Sequence, residues 1–234
     1  MVYETNVKDN LTNATSETLK AALEQLKENT EMTITTSEYK KRISETTSVV
    51  LVGVGGQGIL LASEIIAQAA QESGFDVKTN EIHGMAQRGG SVIAQIRFGE
   101  KVYSPLIPKG TATVLASLER IEGLRYRNYL SPNGLAVISD QVIIPVTASS
   151  GQTPYPEIDQ QILEQFFPRL IYLHAVEKAT ELGNAKAANS ILLGALSTQL
   201  DFSLDVWELA IKKCVKPKFI DLNIEAFLFG RNCK

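Results

Sequence analysis

The chain has 234 residues, of which 44% are hydrophobic and 21% are charged, and its net charge is −3 with 23 basic and 26 acidic side chains. This composition is typical of a globular protein, and the lack of a concentrated basic face argues against binding to nucleic acid. No apolar run approaches the ~18 residues of a membrane span and the first residues lack a secretion signal, so we expect a cytoplasmic protein without membrane contact.

A shift in composition divides the chain into two regions. Residues 1–47 contain neither glycine nor proline, whereas all 16 glycines and all eight prolines follow them. Apolar residues at helical spacing between Leu19 and Leu26, preceded by Ser16 as an N-cap, predict one short helix. We therefore expect a flexible N-terminal extension over residues 1–47 and one larger domain over residues 48–234.

The larger region alternates predicted strands and helices. Residues 48–53 form a short, β-branched apolar run that is typical of a strand buried on both faces. Apolar residues at helical spacing follow until Ser73, and Gly74 ends that helix. Residues 75–82 predict a second strand, which completes a βαβ unit with a right-handed crossover.

A predicted hairpin makes the sheet mixed. Residues 91–98 alternate apolar and polar side chains, a Gly-Glu turn follows, and residues 101–104 predict the returning strand. The remaining predicted elements, in chain order, are a strand at 113–116, a helix at 118–130, a strand at 135–139, a proline-rich crossing at 145–156, a strand at 170–173, and helices at about 175–200, 204–214 and 219–229. The predicted fold class is α/β, a three-layer Rossmann-like domain with a mixed, mainly parallel sheet and a helical C-terminal third.

The first predicted strand ends in GVGGQG, which fits the G-x-G-x-x-G pattern between a strand and a helix. Free backbone N–H groups and the helix dipole at such a turn attract an anion, usually a phosphate. The candidate cofactor-binding residues in this glycine loop, residues 53–58, are Gly53, Gly55, Gly56, Gln57 and Gly58. The structural alternative is that these glycines only form a tight turn.

An acidic residue at the end of the second strand could extend this site to a dinucleotide. Glu81 follows Gly58 at about the 20-residue distance at which a carboxylate holds a ribose. An NAD(P)-binding Rossmann oxidoreductase is therefore an alternative function.

A second segment, residues 81–90, concentrates polar groups and glycines between two predicted strands. Because strand ends share one edge of the sheet, we expect it beside the glycine loop, facing substrate or a partner. Arg88 offers a planar fork to a phosphate or carboxylate, and His83 offers a proton near neutral pH, so both are candidate catalytic residues. A turn-holding surface histidine and an Arg88–Glu81 ion pair are the structural alternatives. The other candidates in this segment are Gly84, Met85, Ala86, Gln87, Gly89 and Gly90.

Three segments in order, GVGGQGI, EIHGMAQRGGSV and VYSPLIPKGTATVLASLE, resemble the γ-type domain of the 2-oxoacid:ferredoxin oxidoreductases. The resemblance covers residues 48–230, and HGMAQRGG is most similar to the indolepyruvate branch. It implies a small subunit of an enzyme that oxidatively decarboxylates a 2-oxoacid, with coenzyme A, to an acyl-CoA, CO2 and reduced ferredoxin. A γ subunit for pyruvate, 2-oxoisovalerate or 2-oxoglutarate is the alternative within the family.

The resemblance also implies how the cofactors are divided between chains. Thiamine diphosphate and the iron–sulfur clusters would lie on a large partner subunit, ferredoxin would accept electrons through the complex, and coenzyme A would bind partly at the glycine loop. The cysteine count agrees, because a cluster usually takes four thiolates and this chain has only Cys214 and Cys233. We expect no metal site in this chain.

Overall fold

A computed structural model describes residues 46–84, 89–144, 156 and 158–233. The predicted helix near Leu19 and almost all of the proline-rich crossing lie outside these residues, and the division at residue 48 stays a prediction. In the described part, a six-stranded sheet has the order β2-β3-β1-β4-β5-β6. Its strands are β1 (Thr47–Val54), β2 (Asp76–His83), β3 (Ser91–Gly99), β4 (Ala112–Ser117), β5 (Leu130–Ser139) and β6 (Leu170–Leu173).

One strand alone runs against the others in this sheet. β1 pairs in parallel with β4, β4 with β5, and β5 with β6, whereas β3 lies antiparallel between β1 and β2. The prediction of a mixed, mainly parallel sheet is therefore confirmed. The βαβ unit differs from the expected one because β3 separates its two strands.

The predicted hairpin with residues 101–104 is wrong. These described residues form no strand, and the antiparallel partners of β3 are β1 and β2. The Asp76 carboxylate accepts a hydrogen bond from Val102 N at 2.9 Å, and Arg97 donates to the carbonyl oxygens of Ser104 and Leu106. These side chains bind the backbone of the segment and hold it outside the strand ladder.

Two predicted helices are shorter than expected, because turns interrupt them. The helix predicted over 118–130 is shorter, because a 3-10 turn at Arg127–Tyr129 follows it and β5 already begins at Leu130. The helix predicted over 175–200 is broken at Gly183, whose φ is +107°, and at Asn184, whose side chain accepts from Lys186 N. The helices are α1 (Ile59–Glu72), α2 (Arg120–Arg125), α3 (Gln160–Phe166), α4 (Ala175–Glu181), α5 (Ala188–Ser197), α6 (Leu204–Cys214) and α7 (Ile220–Arg231).

Helices cover both faces of the sheet, which confirms the three-layer architecture. One face packs against α1 and α5–α7 around the buried Trp207 and Phe227, and the other against α2 and α3 around the buried Leu163. The helices α5 and α7 cross with their backbones in contact, since a Cβ at Gly194 would overlap the Phe227 carbonyl oxygen. None of the helices described here is long and apolar enough to cross a lipid bilayer.

Candidate functional site

The glycine loop lies beside the described ends of the second segment, residues 81–84 and 89–90, at the carboxyl edge of β1. Gly53 pairs with Val92 across β1 and β3, and Val92 pairs in turn with His83 on β2. Beyond these pairs, Gly55 N donates to the Gly90 carbonyl oxygen at 2.9 Å. The two stretches of chain are therefore joined through their backbones.

A cleft of about 690 Å³ opens between the glycine loop, the first turn of α1 and the ends of β2 and β3. The His83 imidazole borders it, and the exposed Leu60 stands at the first turn of the helix. Most of its side-chain wall is apolar, which suits a ligand with an apolar part as well as an anionic group. Its lining comprises Val54, Gly55, Gly56, Gly58, Ile59, Leu60, Leu61, His83, Gly84 and Val92.

Backbone amides form the polar part of the cleft. Gly58 precedes α1 at φ +82° without a side-chain cap, and no acidic residue lies in the first turn of the helix. Among the described residues, the N–H groups of Gly56, Gly58 and Ile59 donate no hydrogen bond to the protein. Free N–H groups at the positive end of a helix dipole favour an anion. The Gly55 N–H, by contrast, is already bound to Gly90.

The Gln57 side chain closes the crevice between β1 and β4. Its Oε1 accepts from Val54 N at 2.6 Å, and its Nε2 donates to the Leu118 carbonyl oxygen at 2.8 Å and to Gln141 Oε1 at 2.7 Å. A Cβ at Gly53 would lie 2.7 Å from that Oε1, so the glycine leaves the space that this inward conformation of the Gln57 side chain needs. The Gln57 amide thus uses its hydrogen-bonding capacity inside the protein.

This crevice is the place where a dinucleotide would bind. Doubly wound sheets bind ligands where the chain leaves neighbouring strands toward opposite sides, which here is between β1 and β4. Gln57 occupies that point. Glu81 lies on β2, which β3 separates from β1 by roughly 10 Å of sheet width. Both observations weigh against the NAD(P) alternative.

Replacing Gln57 with leucine should lower the free energy of unfolding by about 2 kcal/mol, because three polar partners of the amide lose their hydrogen bonds together. Urea denaturation of the full chain measures this loss. Gln160→Leu is the matched control, since that amide binds Glu164 on the exposed face of α3, and should change stability by less than about 0.5 kcal/mol. Equal stability of the two variants would contradict the role of Gln57.

The candidates of the second segment are only partly described. His83 is exposed at the end of β2 and borders the cleft, and Gly84 N donates to the Ser91 carbonyl oxygen at 2.8 Å. Gly89 is exposed next to Gly90. The remaining candidates lie outside the described residues, and their roles stay predictions: Met85, Ala86, Gln87 and Arg88.

Ser91, Glu122 and Tyr126 form a partly buried polar cluster that no sequence pattern indicated, and we call it the Ser91 cluster. Ser91 Oγ donates to the Glu122 carboxylate at 2.5 Å and lies 3.2 Å from the Tyr126 hydroxyl. Burial raises the pKa of Glu122, against the lowering effects of the Ser91 hydrogen bond and the Arg125 charge, while the nearby Glu119 raises it further. In the sequence, Glu122 belongs to a charged stretch that is typical of a solvated helix, so no pattern marked it as buried.

A family model described as "Pyruvate ferredoxin/flavodoxin oxidoreductase" matches residues 48–233. The chain belongs to the pyruvate ferredoxin/flavodoxin oxidoreductase family. It is 43% identical over 189 residues to the indolepyruvate oxidoreductase subunit IorB of Archaeoglobus fulgidus, covering 79% of this chain and 94% of that protein. The resemblance found in the three motif segments is therefore confirmed.

Solved structures show that the fold is that of this pyruvate ferredoxin/flavodoxin oxidoreductase family. The γ subunit of a keto/oxoacid ferredoxin oxidoreductase from Geobacter sulfurreducens has a TM-score of 0.57 and 21% identity, over 79% of this chain and 94% of that one. A 2-oxoglutarate:ferredoxin oxidoreductase from Magnetococcus marinus, with 2-oxoglutarate, coenzyme A and succinyl-CoA bound, has a TM-score of 0.61 and 20% identity, over 80% of this chain and 30% of that one.

Proposed function

We propose that this chain is the small subunit of an indolepyruvate ferredoxin oxidoreductase. The observation that carries the proposal is the 43% identity to an indolepyruvate oxidoreductase subunit over 79% of this chain. With its large partner, the complex would convert an aryl 2-oxoacid, coenzyme A and two oxidised ferredoxins to an aryl-acetyl-CoA, CO2, two reduced ferredoxins and a proton. We expect this partnership in the cytoplasm.

The cleft suits coenzyme A in two respects. The free amides of Gly56, Gly58 and Ile59 offer partial positive charge to a phosphate, at the end of a 14-residue helix. The apolar wall formed by Leu60 and Leu61 offers contact to the pantetheine arm. A solved structure of similar fold has coenzyme A bound, which supports this choice of ligand.

We assign the redox cofactors of the complex to the large partner subunit. Among the described residues, no group of three or more histidine, cysteine or acidic side chains is placed to hold a metal ion. Both cysteines are free thiols, and burial raises the pKa of Cys214 to about 11, which disfavours its thiolate. Thiamine diphosphate on the large subunit would supply the electron sink for decarboxylation.

The second segment would face that partner and the substrate. His83 borders the coenzyme A cleft, where it can donate a hydrogen bond to the bound ligand. Arg88 would bind an anionic group of the substrate or cofactor through its planar guanidinium. We therefore keep both as candidate catalytic residues.

Reconstitution with the large subunit tests the proposal. The gene product is co-expressed with a thiamine- and cluster-bearing partner, and ferredoxin reduction is measured with indolepyruvate, pyruvate, 2-oxoisovalerate and 2-oxoglutarate. We expect strict dependence on coenzyme A and a kcat/KM for indolepyruvate about 100-fold above the others. Preference for another oxoacid would overturn the assigned substrate. Tight binding of NADH by this chain, with no activity in the complex, would favour the dinucleotide alternative.

A further inference from the structure

Three parts of the chain meet at Gly90 and Ser91, where β3 begins. The Ser91 carbonyl oxygen accepts from Gly84 N at 2.8 Å, and the Ser91 side chain donates to Glu122 on α2. The preceding residue, Gly90, accepts the Gly55 N–H of the glycine loop at 2.9 Å. Two consecutive residues, Gly90 and Ser91, therefore link Gly84 of the second segment, the glycine loop and helix α2.

The Glu122 end of this link is rigid. Glu122 is 5% exposed, and its backbone N donates to the Glu119 carboxylate at 2.8 Å, which caps the first turn of α2. Its other carboxylate oxygen forms an ion pair with Arg125 at 3.0 Å. The Glu119 cap holds the backbone of Glu122, so its buried carboxylate keeps its place on α2 as the acceptor for Ser91, whereas the Arg125 side chain is 55% exposed. A hydrogen bond to a charged acceptor is stronger than one between neutral groups.

We propose that the Ser91–Glu122 hydrogen bond positions the glycine loop for its ligand, by fixing Gly90 where its carbonyl oxygen takes the Gly55 N–H. The inference rests on the proposed function for the identity of that ligand, coenzyme A. Ser91 and Glu122 are positioning residues, since neither borders the cleft. If Gly55 lost its hydrogen bond to Gly90, the N–H groups of the neighbouring Gly56 and Gly58 would no longer have a fixed orientation. Small displacements of groups that hold a ligand reduce affinity and turnover strongly.

Two removals and one matched control separate this role from simple stabilisation. Ser91→Ala removes one oxygen, and Glu122→Ala removes the acceptor. Arg125→Ala removes a half-exposed cation from the other oxygen of the same carboxylate and leaves the Ser91 hydrogen bond in place. Glu122→Gln keeps an acceptor oxygen for Ser91 and serves as the conservative variant.

The first readout needs no ligand. In the folded full chain, we expect the Gly55 amide to exchange its hydrogen about tenfold faster in Ser91→Ala than in the wild type, and within about twofold of it in Arg125→Ala. The second readout is the KM for coenzyme A of the reconstituted complex. We expect this KM to be about tenfold higher than that of the wild type in Ser91→Ala and in Glu122→Ala. In Glu122→Gln it should lie within about threefold of the wild-type value.

Unchanged Gly55 exchange in Ser91→Ala would overturn the inference, as would a KM for coenzyme A within twofold of the wild type despite a lowered melting temperature. If Glu122→Ala does not fold, Ser91→Ala decides alone. If the wild-type complex has no dependence on coenzyme A, the proposed function fails by itself, and the exchange of the Gly55 amide still decides whether Ser91 fixes the loop.

Discussion

A single methyl group at Gly194 is expected to lower the free energy of unfolding by about 3 kcal/mol. Gly194 is buried in α5, and a Cβ there would overlap the carbonyl oxygen of Phe227 in α7. The contact is reciprocal, because a Cβ at Gly230 would overlap the Ile191 carbonyl oxygen. Backbone atoms of two helices cannot rotate away as a side chain can, so α7 must move as a whole and disturb the packing around Trp207.

Urea denaturation of Gly194→Ala and Gly74→Ala tests this close approach. Gly74 lies at φ +84° with open space around its Cβ position, so alanine there costs only the backbone strain, about 1 kcal/mol. The comparison separates crowding from a glycine's conformational freedom. A loss at Gly194 no greater than the loss at Gly74 would show that the two helices can separate at little cost.

Strands and helix ends were predictable where the information is local. A few neighbouring residues are enough to recognise the β-branched run of β1. The same holds for Gly74, which ends the helix α1. The prediction of a hairpin was wrong because the alternation of apolar and polar residues over 91–98 indicates a strand but does not indicate which strand pairs with it. That partner is chosen by contacts distant in sequence, such as the hydrogen bond between Asp76 and Val102. The break at Gly183 has a local cause, a glycine at positive φ followed by the Asn184 cap, but the apolar residues at helical spacing on both sides of it predicted one continuous helix.

The candidate site divides in the same way. The G-x-G-x-x-G pattern identified a helix N-terminus with free amides, because glycine spacing reports on local backbone geometry. The pattern could not show that Gln57 bonds inward to Leu118 and Gln141, since both partners are more than 60 residues away. The contact between Ser91 and Glu122 could not be predicted for a related reason. Serine and glutamate are usually exposed, and the two residues are 31 positions apart in the sequence, so only the folded chain brings them together.

Replacing Leu60 with glutamate should separate ligand binding from stability, because the two are expected to change in opposite directions. Leu60 is the second residue of α1, is 43% exposed and borders the cleft. A carboxylate in the first turn of a helix stabilises it by about 0.3–1 kcal/mol through the dipole. The same charge lies beside the amides to which we assign a phosphate of coenzyme A, so the affinity should fall more than about tenfold.

Calorimetric titration of the full chain with coenzyme A, together with thermal unfolding, measures both effects. Leu60→Gln is the matched control, since glutamine has nearly the size of glutamate without its charge. Its affinity for coenzyme A should fall only about threefold, because this variant loses the apolar contact alone. The difference between the two variants should shrink at high salt, because salt screens exposed charges. Equal affinities of the two variants at low salt would place the anionic part of the ligand away from the start of α1. Weaker binding by the glutamate variant than by the glutamine variant, with undiminished stability, would indicate repulsion at that helix end, because both variants lose the apolar contact and a damaged fold would also lower the stability.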